Sequence, residues 1–489
     1  MRQLVSPVFF YALAAKKVKI WRIVQIVLFC YNETMILQGG ESMKSSRRLL
    51  AFLLVLLLLA APAAAFADEP PYSVTLHIGT GSILVRARTD SFENNIYLCL
   101  SDLSAALSST DKQFRIDYAS NPTDGEYFVI TSGQPAALPS GAQEGAGPFV
   151  DTLWPSRNRL FMDGRELKYY THRSGNVLYM SLIDIQLLFD LTIERNIDGS
   201  LRVYPDRPFA PSIDALESEG FFDAFNAVVL GDAHTGEILY SWQPDRSCPI
   251  ASLSKLMGYL LIAEAVNAGQ IRLNDPVPIS EKAEALSLSP DGQVKLHAGT
   301  TVPLTELLDA MLLASSNESA LALAEYLSGS EDAFVADMNA RAFSLGLYSA
   351  VFRSPHGLPV YTQSSVPAKR QNTMSALEYF RLCAYLLANY PALTTRTSQQ
   401  FVKLPTLEYT TANSNPMVFN MSGVNGLKTG NTTRAGYCLA ASLPLSVGGQ
   451  THTILLVVLG AETAQMRNQA SHILLRSAQR YYTDHGFAG

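Results

Sequence analysis

The sequence has little charge, little histidine and few cysteines. Asp, Glu, Lys and Arg make up 16% of its 489 residues, and it holds 8 histidines and 5 cysteines. The histidines form no H-E-x-x-H or other close pair and the cysteines no C-x-x-C pair, so a zinc hydrolase has no support. No lysine- or arginine-rich tail offers a footprint for nucleic acid. The chain is instead 48% hydrophobic, a globular composition for two or three domains. We expect no cofactor and no metal.

An apolar run near the N-terminus is typical of a secretory signal peptide. A short basic stretch follows Met43, then come an apolar run at 49–61 and a small-x-small site at 65–67. We predict a signal peptide at 43–67, although an uncleaved membrane anchor is an alternative. The Gly-Gly-Glu before Met43 is what a bacterial ribosome-binding site looks like when translated, so residues 1–42 are predicted to be a mis-assigned extension. The expected location is extracytoplasmic, at the cell wall or the outer face of the cytoplasmic membrane.

Removal of the signal peptide changes the charge and the cysteine count. The first 67 residues hold eight Lys/Arg and two Asp/Glu, which leaves 29 basic and 41 acidic residues and a net charge of −12. Four distant cysteines remain: Cys99, Cys248, Cys383 and Cys438. A disulfide is permitted outside the cell, but the spacing favours reduced, buried thiols, and the sequence does not fix a pairing.

Two segments of the N-terminal third match each other. Residues 95–103 align with 177–185 on Tyr97 and Tyr179, and each segment reads as a strand followed by an Asp and a short helix. A hairpin with an Asp-Gly turn follows each copy, at 124–125 and at 198–199.

We therefore predict that residues 68–210 contain two small α+β repeats, joined by a Gly-, Ala- and Pro-rich loop at 133–148. The Tyr-x-x-Leu-x-Asp core resembles the copper amine oxidase N-terminal-like domains of secreted bacterial proteins, without metal ligands. This resemblance implies a spacer or stalk. Contact with the cell wall is the alternative, and no ligand is identified.

A serine lies three residues before a lysine at the start of an apolar run that ends near Val266. Read as a helix, the segment places Ser252 and Lys255 on one face, because residues i and i+3 are neighbours there. A hydroxyl nucleophile would then lie beside an amine that takes its proton, at a helix N-terminus whose dipole is positive. The pattern indicates a serine acyl-transfer enzyme.

The remaining elements predict the architecture around this helix. Strands are expected at 227–232 and 237–240, then a helical region to about residue 400, then strands at 424–430, 436–442 and 453–459 and a last helix at about 463–482. The fold class predicted for 211–489 is α+β, with one antiparallel sheet made from both ends of the domain and a helical region inserted between them.

Three motifs stand in order along this domain. They are Ser252-x-x-Lys255, Ser315-x-Asn317 and Lys428-Thr429-Gly430. Either of the first two is expected once or twice by chance in a chain of this size, so the order of all three carries the signal. Penicillin-binding proteins and class A β-lactamases share this set.

With these motifs the sequence resembles the serine-type D-alanyl-D-alanine carboxypeptidases, the low-molecular-weight penicillin-binding proteins of peptidase family S11. The likeness covers roughly residues 213–480 and includes Pro249-Ile250-Ala251, Pro355-His356-Gly357-Leu358 and Ala435-Gly436-Tyr437. It implies a penicillin-binding/β-lactamase-like fold, peptidoglycan stem peptides as substrate and β-lactams as inhibitors.

The resemblance also implies a role for each motif residue. Ser252 would be the nucleophile, a neutral Lys255 the general base and Ser315 a proton relay. The residues expected to bind substrate are Asn317, Lys428, Thr429, Gly430, Asn431 and Arg467. Within this set, the backbone N–H groups of Ser252 and Asn431 would form the oxyanion hole. Gly430 would leave room for substrate along its strand. Arg467 is the nearest match to an arginine that the family places before its last helix, and His356 is expected to brace a loop.

Three other functions share parts of this pattern. A D,D-endopeptidase would use the same site on cross-linked peptides, and the sequence does not exclude it. A class A β-lactamase needs a deacylating glutamate, and none occurs between Ser349 and Ala376. An inactive wall-binding module is disfavoured because all three motifs are intact. The expected reaction is therefore D-alanine release from stem pentapeptides.

Overall fold

The computed structural model describes residues 72–89, 95–121, 125–136, 150–151, 159–218, 224–361 and 369–487. The predicted extension at 1–42, the signal peptide at 43–67 and most of the loop at 133–148 lie outside these residues. The chain contacts divide the protein into two units, residues 1–209 and 210–489. Each is described separately below.

The described residues of the first unit form short strands and two helices. Its described strands are β1 (Tyr72–Ile78), β2 (Gly81–Thr89), β3 (Ile96–Cys99), β4 (Phe114–Asn121), β5 (Gly125–Ser132), β6 (Val150–Asp151), β7 (Arg159–Met162), β8 (Arg165–Leu167), β9 (Thr171–Ser174), β10 (Val177–Ser181), β11 (Thr192–Arg195) and β12 (Leu201–Tyr204). Its described helices are α1 (Leu100–Ala106) and α2 (Leu182–Phe189).

Each matched segment forms the predicted strand, helix and hairpin: β3, α1 and β4–β5 in the first, and β10, α2 and β11–β12 in the second. The two copies do not form separate modules. Strand β3 pairs antiparallel with β10, β5 pairs parallel with β7, and β12 pairs parallel with β1. Because each copy lends strands to the other, both halves share one apolar core.

The second unit contains the three motifs. Its described elements are α3 (Ile213–Ser218), β13 (Ala227–Asp232), β14 (Ile238–Trp242), β15 (Ser247–Pro249), a 3₁₀ turn (Ala251–Ser254), α4 (Lys255–Asn267), β16 (Pro276–Pro278), α5 (Glu281–Ser287), β17 (Thr301–Pro303), α6 (Leu304–Asp309), a π turn (Ala310–Ala314), α7 (Asn317–Ser328), α8 (Glu331–Ser344), β18 (Val360–Tyr361), β19 (Lys369–Arg370), β20 (Thr373–Ser375), α9 (Ala376–Asn389), α10 (Ala392–Thr397), β21 (Phe401–Leu404), a second 3₁₀ turn (Pro405–Leu407), β22 (Tyr409–Ala412), α11 (Met417–Asn420), β23 (Leu427–Thr432), β24 (Gly436–Val447), β25 (Gln450–Ala461) and α12 (Ala464–His485).

The main sheet of this unit has the order β14-β13-β25-β24-β23, and every pairing in it is antiparallel. Strands β13 and β14 precede the helical region and the other three follow it, so the predicted α+β architecture is confirmed. Helix α12 packs on β24 and β25, and α9 packs on β25 and β13. Because helices contact the sheet here, β13 is buried along its whole length, and its sequence begins with four consecutive apolar residues.

Side-chain caps fix where several helices begin. The hydroxyl of Ser316 accepts the backbone N–H of Ser319 at the start of α7, and Thr463 does the same for Met466 at the start of α12. Strand β23, which carries Lys428-Thr429-Gly430, lies at the edge of the described sheet. One polar edge strand and one capped helix therefore present two of the three motifs.

The four cysteines in the described residues are buried and unpaired, which confirms the prediction of reduced thiols. Among the helices that the structure describes, none is both long and apolar enough to cross a bilayer. The same residues contain no group of three or more His, Cys, Asp or Glu side chains arranged to hold a metal ion.

Candidate active site

Ser252 lies in a tight turn rather than in the first turn of an α-helix. The 3₁₀ turn Ala251–Ser254 precedes α4, which begins at Lys255. In a 3₁₀ turn the side chains at i and i+3 eclipse each other, so Ser252 and Lys255 are brought closer than in an α-helix. Ala251 enters the turn with φ +48°, a conformation that costs energy for a residue with a Cβ.

The amine of Lys255 is held by three oxygens. Its Nζ lies 2.8 Å from Ser252 Oγ, 2.8 Å from Asn317 Oδ1 and 2.8 Å from the carbonyl oxygen of His356. A neutral amine has two N–H donors and one lone pair. The two carbonyl oxygens accept both N–H bonds, which leaves the lone pair for the Ser252 hydroxyl proton. The geometry therefore suits a lysine that acts as a base.

The electrostatics of the site favour this neutral form. Lys255 is fully buried, and burial followed by the charge of Lys428 holds its pKa well below the ordinary value, while Glu318 raises it. Lys428 is itself 1% exposed, and burial together with the nearby Arg467 lowers its pKa to about 7. Three basic side chains are thus gathered at one place in the second unit.

The second motif is positioned by an irregular helix end. The π turn Ala310–Ala314 ends at Ser315, whose φ of +63° reverses the chain before α7 begins. This reversal places Asn317 against Lys255, and Asn317 is 4% exposed. Ser315 is partly exposed, and its hydroxyl makes no hydrogen bond to any described residue.

The third motif contributes its side chains from the edge strand β23. Lys428 Nζ donates to the carbonyl of Thr429 at 2.9 Å, and Thr429 Oγ1 donates to Ser414 Oγ at 3.1 Å. Ser414 is in turn tied through its backbone N–H to Leu313 in the π turn. The segment at Ser414 therefore links the second and third motifs, which the sequence alone did not indicate.

The sequence predicted that Gly430 leaves room for substrate, but the structure gives a different reason for the glycine. A Cβ on Gly430 would lie 2.8 Å from the backbone nitrogen of Ser252 and 3.1 Å from that of Leu253. The strand thus packs directly on the nucleophile turn, and the first obstacle to a side chain is that turn. The close approach places Gly430, the residue before Asn431, against the Ser252 backbone nitrogen; the oxyanion hole of Ser252 and Asn431 stays a prediction.

Asn431 and Arg467 are both neighbours of Tyr437. Asn431 is exposed and pairs with Tyr437 across the strand. Arg467 is 7% exposed and lies within the first turn of α12, not before it. The guanidinium carbon is 6.0 Å from the Tyr437 ring centre, and Nη2 donates to Asn468 Oδ1 at 2.8 Å. Its charge acts on Lys428, so it belongs to the same basic site.

The loop at 353–358 contributes a group that sequence analysis missed. Its contact with Lys255 is made by the backbone carbonyl of His356, which no side-chain motif encodes. The imidazole instead accepts the Leu358 N–H through Nδ1 at 3.1 Å and faces Glu331 through Nε2 at 3.6 Å. His356 therefore braces the loop, as predicted, and its carbonyl also orients the lysine.

A single buried amide fastens this loop to the nucleophile turn. Asn372 Oδ1 accepts the backbone N–H groups of Arg353 and Ser354, and its Nδ2 donates to Ser254 Oγ and to the Ser354 carbonyl. Asn372 and Ser354 are completely buried. All four hydrogen bonds of this amide are therefore used in holding the loop against the turn.

We predict that Gly357→Ala disrupts this contact. Gly357 has φ +89°, and a Cβ there would lie 2.1 Å from the carbonyl oxygen of Ala251. The variant should lose about 3 kcal/mol or more of unfolding free energy in urea titrations. Gly346→Ala is the matched control, because Gly346 has φ +75° with open space around it, and should lose about 1 kcal/mol. Equal losses would contradict the proposed clash.

A serine beside a buried lysine, with a second buried lysine on the edge strand, is the arrangement of a serine acyl-transfer hydrolase on an antiparallel sheet. The family model of peptidase S11, described as D-alanyl-D-alanine carboxypeptidase, matches residues 218–463, about half the chain. The chain belongs to this family of serine peptidases, and the predicted family is confirmed.

Two curated relatives show the extent of the similarity. The D-alanyl-D-alanine carboxypeptidase DacF of Bacillus subtilis is 33% identical over 285 residues, which cover 57% of this chain and 69% of the relative. DacC of Escherichia coli, also named a D-alanyl-D-alanine carboxypeptidase, is 29% identical over 277 residues, which cover 56% of this chain and 63% of DacC.

Among solved structures, penicillin-binding protein D2 of Listeria monocytogenes, in its cefotaxime-bound form, is 28% identical. The match covers 52% of this chain and 97% of that one, with a TM-score of 0.45.

Proposed function

We propose that the protein is a D-alanyl-D-alanine carboxypeptidase that removes the terminal D-alanine from peptidoglycan stem pentapeptides. The observation that carries this proposal is the 2.8 Å approach of Lys255 Nζ to Ser252 Oγ inside a buried, basic site. A hydroxyl beside a neutral amine can attack a carbonyl, and the surrounding cations favour a substrate that ends in a carboxylate.

Acylation follows from these groups. The Ser252 hydroxyl proton passes to the lone pair of Lys255, and Oγ attacks the carbonyl carbon of the penultimate D-alanine. The developing oxyanion is held by the N–H groups of Ser252 and Asn431. The C–N bond then breaks, and the proton reaches the leaving amine through Ser315. Water hydrolyses the resulting ester and restores Ser252.

Substrate binding is assigned to the remaining motif residues. Lys428, Thr429 and Arg467 receive the terminal carboxylate, since two of them are cations and the third offers a hydroxyl. The Asn317 amide contacts the peptide backbone of the substrate. β-Lactams carry a reactive amide and a carboxylate, so the same site should take them as covalent inhibitors.

The balance between carboxypeptidase and D,D-endopeptidase activity is tested with paired substrates. Purified protein is incubated with a stem pentapeptide and with a cross-linked peptide dimer, and released D-alanine and monomer are measured by mass spectrometry. We expect D-alanine from the pentapeptide at a rate well above dimer cleavage. Dimer cleavage at the higher rate would replace the proposal with an endopeptidase.

The proposal includes a location outside the cytoplasmic membrane and a role for the N-terminal repeats. The signal peptide predicted at 43–67 supports action outside the cytoplasmic membrane, where stem peptides lie. The two interlocked repeats within 68–210 are proposed to position the catalytic unit, as a spacer or through contact with the cell wall.

The two perturbed lysines predict the pH dependence of catalysis. Lys255 must be neutral to act as a base, so activity falls as the pH drops through its lowered pKa. This fall is the acid limb of the pH–rate profile. Lys428 must be charged, so kcat/KM falls above its pKa of about 7 in the free enzyme. A bound carboxylate favours the charged lysine, which moves the alkaline limb of kcat to higher pH. Initial rates between pH 5 and 10 test this; coincident alkaline limbs for kcat and kcat/KM would contradict the role of Lys428.

A further inference from the structure

Glu318 is a buried carboxylate that the three motifs do not include. It follows Asn317 in the first turn of α7 and is 0% exposed. Its Oε1 accepts the backbone N–H groups of Gln293 and Val294. Its Oε2 is buried without a hydrogen-bond partner among the described residues. Because a buried carboxylate oxygen without a partner is costly, this residue calls for a functional explanation.

The hydrogen bonds of Glu318 fix the loop that holds Asn317. The side-chain oxygen of Gln293 accepts the Asn317 backbone N–H at 3.0 Å, and the Asp291 carbonyl accepts from Asn317 Nδ2 at 2.8 Å. With Nδ2 engaged there, Oδ1 is the atom that faces Lys255. By bonding Gln293 and Val294, Glu318 therefore helps to hold the 291–294 loop, whose Asp291 carbonyl engages Nδ2 and leaves Oδ1 to meet the lysine.

Glu318 also supplies negative charge to a site that is otherwise basic. The other titratable groups near Lys255 are Lys428 on the edge strand and the imidazole of His356 on the adjoining loop, and Arg467 acts on Lys428. When Lys255 takes the serine proton, a second cation forms beside Lys428 in a buried environment. Such a charge is strongly destabilised unless an anion lies near it.

We propose that Glu318 is a positioning residue of this active site, which orients Asn317 through the 291–294 loop and provides the counter-charge for Lys255 once it is protonated. The inference rests on the proposed acyl transfer. It explains why a carboxylate, and not a neutral amide, occupies a buried position whose second oxygen has no donor.

The charge is tested with Glu318→Gln, which keeps an oxygen to accept from Gln293 and Val294. Loss of the anion makes protonated Lys255 less stable, so its pKa falls further and the lysine stays neutral to lower pH. The acid limb of acylation by a fluorescent penicillin should therefore move about one pH unit downward. The plateau rate should fall roughly threefold to tenfold, because the amine is a weaker base.

Two further variants complete the experiment on the full chain. Glu325→Gln removes a carboxylate from the same helix, one that bonds Ser280, and should leave the acid limb unchanged. Glu318→Asp keeps the charge but shortens the reach to the loop. It should keep the wild-type acid limb with a lower plateau, and it remains informative if Glu318→Gln does not fold.

The outcomes separate the two proposals. If the wild type forms no penicillin adduct, the acyl-transfer proposal itself fails. If the wild type reacts while Glu318→Gln keeps the wild-type acid limb, Glu318 has no electrostatic role and this inference is overturned. An acid limb shifted in Glu318→Asp, which retains the anion, would also overturn it.

Discussion

Ser252→Ala should abolish D-alanine release from a stem pentapeptide, with turnover reduced roughly several thousandfold or more. Alanine removes the oxygen that forms the acyl bond, and no other described hydroxyl lies within hydrogen-bonding distance of Lys255 Nζ. Because Ser252 is a small, partly buried residue in a turn, the variant should fold normally. Steady-state assays and thermal unfolding measured together distinguish lost chemistry from lost structure.

Ser254→Ala is a useful comparison for this variant. Ser254 lies in the same turn, but its hydroxyl donates to the Ala251 carbonyl and accepts from Asn372. Its loss should lower stability by about 1 to 3 kcal/mol and reduce turnover far less than Ser252→Ala does. Turnover near the wild-type level in Ser252→Ala would refute the assignment of the nucleophile.

Lys255→Met should reduce acylation by roughly a thousandfold or more, because the serine loses the group that takes its proton. Methionine fills similar volume without an amine, but it leaves the Asn317 and His356 oxygens without their donor. Rates of penicillin acylation at several pH values measure the effect. The acid limb assigned to Lys255 should disappear together with the rate.

Lys255→Arg tests whether Lys255 acts as a proton acceptor or only as a positive charge. A guanidinium keeps the charge and hydrogen-bond donors, but it does not lose its proton in proteins. The arginine variant should therefore be as slow as the methionine variant. Substantial acylation by Lys255→Arg would mean that charge, and not base catalysis, is the contribution of this residue.

Sequence patterns predicted the fold of the second unit well, because its elements differ in period and length. The strands at β13 and β24–β25 are long apolar runs, and the helices carry clear caps. What the patterns did not predict is local geometry. The serine lies in a 3₁₀ turn that packs on β23. Within the predicted helical region, α6 passes into a π turn that packs on α4, so tertiary contacts override helix propensity at both places.

The motif residues were predictable because each carries a side chain with a chemical role. The groups that position them were harder to find. The His356 group that contacts Lys255 is a backbone carbonyl. Asn372 bonds Ser254, which is 118 residues away in the sequence. Glu318 bonds the backbone of the loop that holds Asn317. Such contacts depend on long-range packing, which a single sequence does not encode in any short pattern.

In the first unit, too, the sequence did not predict the long-range contacts. The match between the two copies predicted their strands, helices and hairpins, but not that they exchange strand partners. Pairing of β5 with β7 and of β12 with β1 joins elements far apart in sequence. Only the three-dimensional arrangement reveals that the repeats share a core and form one body.

The most direct test of the proposed chemistry is the intact mass of the purified protein, followed over time after penicillin is added. A nucleophile activated by Lys255 and slow deacylation predict a lasting increase of one drug mass, with peptide mapping that places the adduct on Ser252. An unmodified protein with penicillin still intact in solution, or an adduct on another residue, would contradict the account.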